Sequence, residues 1–143
     1  MQLTDAVLEL LRAASPAVLT TLLPDGSPHS TEVWVDADGD QVLVNSVDTH
    51  RKVRNVRRDP RVALVVLDPD DGSRHVALRG RVAEVTTEGA RDHIEKLALR
   101  YLGAPTRGSA DVTRRAFSCA STSTGSAASS AEPGRAGERP RGA

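Results

Sequence analysis

"PHSTEVWVDADGDQVLVNSV", residues 28–47, decides the fold of this chain. His29, Thr31, Val33 and Val35 fall on one side of it, and Ser30, Glu32 and Trp34 on the other. That is the period of a strand with one face turned to a core. "ADGD" (37–40) is a hairpin turn, and "QVLVNSV" (41–47) is the strand that returns from it. The neighbouring segments are of the same kind. "AVLTTLL" (17–23) is rich in strand formers and ends in the turn "PDGS". "RVALVVLD" (61–68) is a continuous apolar strand, expected to be buried on both faces or set in a barrel. After the turn "PDDGS" (69–73) comes a long strand, "RHVALRGRVAEVT" (74–86). Gly80 in its middle marks a bulge or a close backbone approach.

Helices flank these strands. "TDAVLELLRAA" (4–14) has Thr4 as a cap and Val7, Leu8 and Leu11 on one face. "TEGARDHIEKLALRYLG" (87–103) is capped by Thr87, carries the stripe Ala90, Ile94, Leu97 and Tyr101, and stops at Gly103. The order is a helix, three antiparallel strands, a short helix, two more strands and a helix. It predicts a mainly β chain with flanking helices (β/α+β), built as a small antiparallel barrel.

From Thr106 the sequence changes character. Residues 106–143 hold almost no Val, Ile or Leu and show no periodicity. Such a segment is expected to be disordered, because it buries too little apolar surface to offset the entropy of ordering. The expected organisation is therefore a folded domain over 1–105 and an Arg/Ala/Ser/Gly-rich tail over 106–143. Two explanations stand side by side: a genuine flexible tail, or a reading frame shifted near Pro105.

Composition bounds the function. The formal net charge is zero, whereas a general nucleic-acid binder carries a basic excess over a whole domain. Seventeen of the nineteen basic residues are Arg, which points to a GC-rich coding sequence before it points to a partner. The single cysteine, Cys119, excludes a disulfide framework. No apolar run approaches the ~20 residues of a membrane span, and the start lacks a secretory pattern, so the expectation is a soluble cytoplasmic protein. "DADGD" (36–40) lacks the spacing of a calcium loop and reads as a hairpin turn. His29, His50, His75 and His93 fall on four different elements, so no metal site is expected, and His93 reads as a helix-surface residue.

The densest charge lies in "THRKVRNVRRDPRV" (49–62), where six of the eleven residues 51–61 are Lys or Arg. Asp48 and Thr49 are cap candidates for a short helix from about His50 to Arg58, ending before Pro60. Val53 and Val56 face the core together, and Arg51, Arg54 and Arg58 lie opposite. Arg51 and Lys52 in the first turn oppose the helix dipole, and a bound anion would relieve that. A phosphate there would be held by backbone N–H groups, the hydroxyls of Thr49 or Ser46, and Arg51 and Lys52. The plainer alternative is a solvated basic helix, the reading that suits Arg54, Arg57, Arg58 and Arg61.

Two motifs, "DG.P..T..W" (25–34) and "VNS....RK.RN..RDPRV" (44–62), followed by "RGRVAEVT" (79–86), resemble the flavin and deazaflavin oxidoreductases related to pyridoxamine-phosphate oxidase. The coenzyme F420-dependent actinobacterial branch is the most similar, and the likeness spans residues 5–104. It implies a six-stranded antiparallel split β-barrel that forms a homodimer, with cofactor bound at the subunit interface. Here the barrel would lack its last strand if the tail is as it reads. The resemblance also implies that Arg51 and Lys52 contact the cofactor phosphate and that Asn45 and Ser46 line the site. His29, Ser30, Thr31, Glu32 and Val33 would meet the ring and its linker. The chemistry implied is hydride transfer from reduced deazaflavin to an unsaturated small organic substrate, with no protein group as catalyst. The alternatives are an FMN-dependent enzyme of the same fold and a non-catalytic flavin or deazaflavin binder. A nucleic-acid binder acting through residues 51–61 ranks behind these.

Overall fold

The computed structural model describes residues 2–47, 50–105 and 112–126, with the backbone alone for Val47 and 112–126. The elements in order are α1 (Asp5–Arg12), β1 (Ala17–Leu22), β2 (Pro28–Asp38), β3 (Gln41–Val47), α2 (Arg51–Arg58), β4 (Arg61–Leu67), β5 (Arg74–Thr86), α3 (Ala90–Leu102) and β6 (Val112–Ser126). Every strand pair is antiparallel. The order β1-β2-β3-β6-β5-β4 closes into a barrel because β4 pairs back on β1.

The hairpin at 28–47 forms as its alternation requires. Asp38 pairs with Gln41, which leaves Gly39 and Asp40 as a two-residue turn. Gly39 has φ 57°, the left-handed conformation such a turn demands. Val33 and Val35 of β2 and Val42 and Val44 of β3 point into the barrel beside Leu19, Leu64, Val66 and Leu78. β4 is buried on alternate residues only: Val62, Leu64 and Val66 are inside, while Val65 is exposed. Of the two expectations for this apolar run the barrel holds, because a closed sheet has one interior face. The register of β5 against β6 shifts between Arg79 and Gly80, the irregularity that Gly80 marked in the sequence.

The helices close the barrel. Thr4 caps α1, accepting from the Val7 N–H at 3.3 Å, and the helix sends Val7 and Leu11 into the core ahead of β1. At the far end of β1, α2 adds Val56 to the same core. Asn55, wholly buried, donates from Nδ2 to Thr21 Oγ1 at 3.0 Å. Arg58 donates to the Leu22 carbonyl and, at 3.1 Å, to Asn55 Oδ1. Truncating Asn55 strands the Thr21 hydroxyl, so Asn55→Ala is expected to cost about 1–2 kcal/mol in a urea melt without change in m.

Three points bear on the expectations. First, within the expected tail the backbone of residues 112–126 runs as a strand. β6 pairs with β3 from Gln41↔Ser118 to Val47↔Val112 and with β5 along its length. A strand between two neighbours draws its hydrogen bonds from both, so it forms without the apolar periodicity that was missing. The rest of the expected tail, 106–111 and 127–143, lies outside the described residues. Second, α3 is capped by Gly89 at φ 66° with no side-chain bond, not by Thr87, whose carbonyl accepts from the Ala90 N–H at 3.2 Å. Third, His93 is buried and not on the helix surface. α3 lies against the outer face of β2 and β3, and His93 faces that sheet.

Candidate functional site

The ten predicted site residues map onto β2, β3 and the start of α2, with Thr49 outside the described residues. Trp34 opposite Asn45 sets the register of β2 and β3. Residues 29–33 and 45–46 therefore lie toward the same end of the hairpin, away from the Gly39-Asp40 turn. The chain leaves β3 at that end to enter α2. The expectation for α2 holds in its extent and faces: Val53 and Val56 are buried, and Arg51, Arg54, Arg57 and Arg58 are exposed. Its N-cap position is His50, with no side-chain bond to the first turn, and Asp48 lies outside the described residues as Thr49 does. No acidic residue offsets Arg51 and Lys52 there. Lys52 is half-buried at the flank of the helix.

Two basic residues late in the run, Arg58 and Arg61, are engaged structurally. Arg58 holds the end of β1. Arg61 grips Asp59 through two bonds, 3.0 Å from Nε and 2.7 Å from Nη2, and these hold the Asp59 carboxyl down at about 2. Arg58 and Arg61 thus build the junction with β1 and β4, and the first turn of the helix follows the end of β3 in the chain.

β2 presents two faces. Ser30 and Glu32 point outward and are exposed, and Ser30 Oγ lies 2.7 Å from Thr20 Oγ1. His29, Thr31 and Val33 point inward, opposite Thr21, Leu19 and Ala17 of β1. Among the described residues, three side-chain polar atoms are buried without a hydrogen-bond partner: His29 Nδ1, Thr31 Oγ1 and Asn45 Oδ1. All three belong to the predicted set. Buried polar atoms are nearly always paired; His29 Nδ1 and Thr31 Oγ1 lie on the inward face of β2, and Asn45 Oδ1 lies on the outer face of β3 beneath α3. Ser46 is buried on the opposite side of β3 from Asn45.

Sequence reasoning missed a second group of residues under α3. Asp36 is 3% exposed. It accepts from His93 Nε2 at 3.0 Å, Arg100 Nη1 at 2.9 Å and the Ala37 N–H at 2.9 Å, with Lys96 Nζ 3.7 Å away. Burial pushes its carboxyl up, but the bonds from His93 and Arg100 outweigh this, and the group stays well below the ordinary carboxylate range. Asn45 Nδ2 donates to the Ala90 carbonyl at 2.8 Å and lies 3.4 Å from His93 Nδ1. Beside this group Trp34 stacks on Tyr101 with ring centroids 5.4 Å apart. The Tyr101 hydroxyl donates to the Ser15 carbonyl and accepts from the Val35 N–H. The available signal was Asp36 itself, an outward position of β2 that an amphipathic helix could cover.

Comparison with known proteins bears on the family and the fold. The family model of pyridoxamine 5'-phosphate oxidase matches residues 3–123, well past Pro105 and through most of β6. The F420H(2)-dependent biliverdin reductase of Mycobacterium tuberculosis is 34% identical over 101 residues, 70% of this chain and 73% of that protein. A solved F420 reductase superposes with TM-score 0.73 at 27% identity, over 85% of this chain and 98% of that one. A conserved hypothetical protein from M. tuberculosis shares the fold, with TM-score 0.69 and 22% identity over 87% and 86% of the two chains.

Proposed function

This chain belongs to the pyridoxamine 5'-phosphate oxidase family, and from that premise we propose that it is an F420-dependent oxidoreductase acting on an unsaturated small organic molecule. The observation that carries the reading is the pair of orphaned buried atoms on His29 and Thr31, on the strand segment assigned to the cofactor, with a third on Asn45 of the adjoining strand. These residues suit a ligand rich in hydrogen-bonding groups, and the likeness to an F420H(2)-dependent reductase and to a solved F420 reductase supports F420 as that ligand. Arg51 and Lys52 hold its phosphate, with the start of α2 adding backbone N–H groups and the positive end of the helix dipole. Asn45 and Ser46, with residues 29–33, line the rest; Thr49 completes the phosphate site.

When bound, the reduced deazaflavin supplies the hydride that reduces the acceptor. The protein's part is to orient the two and to exclude water. No side chain is assigned as an acid, base or nucleophile. A homodimer accords with Val18 and Val65, which face each other across β1 and β4 and are exposed apolar residues on the outer wall. Among the described residues no helix is long and apolar enough to cross a membrane, and a cytoplasmic site of action is part of the proposal.

Turnover tests the reading. The chain should oxidise reduced F420 in the presence of at least one acceptor from a panel of quinones, enones and tetrapyrroles. Binding without oxidation across the whole panel would leave a non-catalytic carrier. Binding and turnover with FMN in place of F420 would favour the flavin-dependent alternative.

A further inference from the structure

We propose that Asp36 and His93 are positioning residues that fix the side-chain amide of Asn45, so that its carbonyl oxygen stands as an acceptor for an N–H or O–H donor of the bound cofactor. The proposal rests on the preceding reading for the identity of the ligand. The orienting contacts themselves are independent of it.

His93 Nε2 faces the Asp36 carboxylate at 3.0 Å and therefore carries a hydrogen. Its Nδ1 is then left as an acceptor, and the Asn45 amino group lies 3.4 Å from it. The same amino group donates to the Ala90 carbonyl at 2.8 Å. Both amino hydrogens thus meet acceptors. An amide flip, nearly isosteric in itself, would set Asn45 Oδ1 against the Ala90 oxygen and the His93 lone pair together. A second proton on His93 would likewise set Nδ1–H against the amino group. The carboxylate on one side of the ring therefore determines which way the Asn45 amide points on the other. The charge that holds this tautomer is itself anchored, since Arg100 and the Ala37 N–H occupy the other carboxylate oxygen.

What remains is Asn45 Oδ1, buried and without a partner among the described residues. Asn45 is 5% exposed, on the strand end that leads into Arg51 and Lys52. An unmatched acceptor is destabilising in the apoprotein. Here a network of four side chains from three elements is spent on keeping it in one orientation. That is the pattern of a preorganised recognition group, whose direction is fixed by residues that never touch the ligand.

His93→Gln separates this role from a general loss of structure. Its amide can still donate toward Asp36, but the acceptor at the place of His93 Nδ1 is lost, leaving the Ala90 carbonyl as the remaining partner of the Asn45 amino group. Two readouts are needed. In side-chain amide NMR of the full chain without ligand, wild-type Asn45 NH2 should be protected from exchange, with His93 as the Nε2–H tautomer; protection should fall in His93→Gln. In fluorescence titrations with F420, Asn45→Ala and His93→Gln should each bind about tenfold more weakly, and the double variant no more weakly than Asn45→Ala alone. Multiplying penalties in the double variant, or wild-type affinity in His93→Gln, would overturn the relay. Unchanged Asn45 protection in His93→Gln would overturn it without any ligand. A wild-type chain that binds neither F420 nor FMN would overturn the functional reading and, with it, the ligand's part of the inference.

Discussion

Replacing Asp36 by alanine is expected to destabilise the fold by about 3 kcal/mol, with a Tm lowered by roughly 10 °C. The carboxylate is the only negative charge bonded to His93 and Arg100 among the described residues, and both side chains lie mostly out of water. Its removal leaves a buried imidazole, a guanidinium and the Ala37 N–H without their acceptor, and a stranded partner is what makes such substitutions severe. Lys96→Ala is the contrast. Its side chain is 65% exposed and stands 3.7 Å from the carboxylate, so the expected change is under 1 kcal/mol. The direction of the Asp36 shift adds a pH signature. Folding holds this carboxyl below its unfolded value, so its contribution is complete above about pH 4 and is lost as pH falls toward the folded value. Wild-type stability should fall on acidification below pH 4, and Asp36→Asn should fall less steeply there. Urea melts at pH 7, 4 and 3 measure both effects.

The same residues explain what the sequence could and could not reveal. The hairpin at 28–47 is legible because its signal is local: an alternating run and a two-residue glycine turn lie within twenty residues of each other. The short helix is legible for a similar reason, with Val53 and Val56 on one side and Pro60 after it. Asp36 and His93 are 57 positions apart. Nothing local distinguishes a buried aspartate beside a hairpin turn from an exposed one. The stripe Ala90, Ile94, Leu97 and Tyr101 found the sheet-facing side of α3, but His93 sits at its edge and its burial depends on a partner from another element. β6 was illegible for a different reason. Its backbone bonds come from β3 and β5, and a composition of Thr, Ser, Ala and Arg carries no apolar period to announce them. Of the candidate site, the strand ends and Arg51 and Lys52 are proposed from motif resemblance. The orientation of Asn45 was not legible, since a sequence does not encode which way an amide faces.

Lys52→Ala and Arg51→Ala are each expected to weaken F420 binding by about 10- to 100-fold, the loss of one charge-assisted phosphate contact. Both residues stand in the first turn of α2, which contains no acidic residue, and His50 supplies no side-chain cap bond. Arg57→Ala, at the exposed far end of the helix, should change affinity less than twofold. The contrast matters because all three substitutions remove one positive charge from one eight-residue helix. A diffuse basic surface would register them equally and would lose affinity steeply with salt. A built phosphate site registers position. Thermal melts of the three variants should differ little, since none of these side chains is buried in the core, and that separates lost binding from lost structure.

An equilibrium titration of the full chain with F420, and in parallel with FMN, tests the central claim most directly. Saturable F420 binding that is tighter than FMN binding and is weakened by Lys52→Ala but not by Arg57→Ala is the predicted result. Absence of F420 binding, or equal losses from the two substitutions, would contradict it.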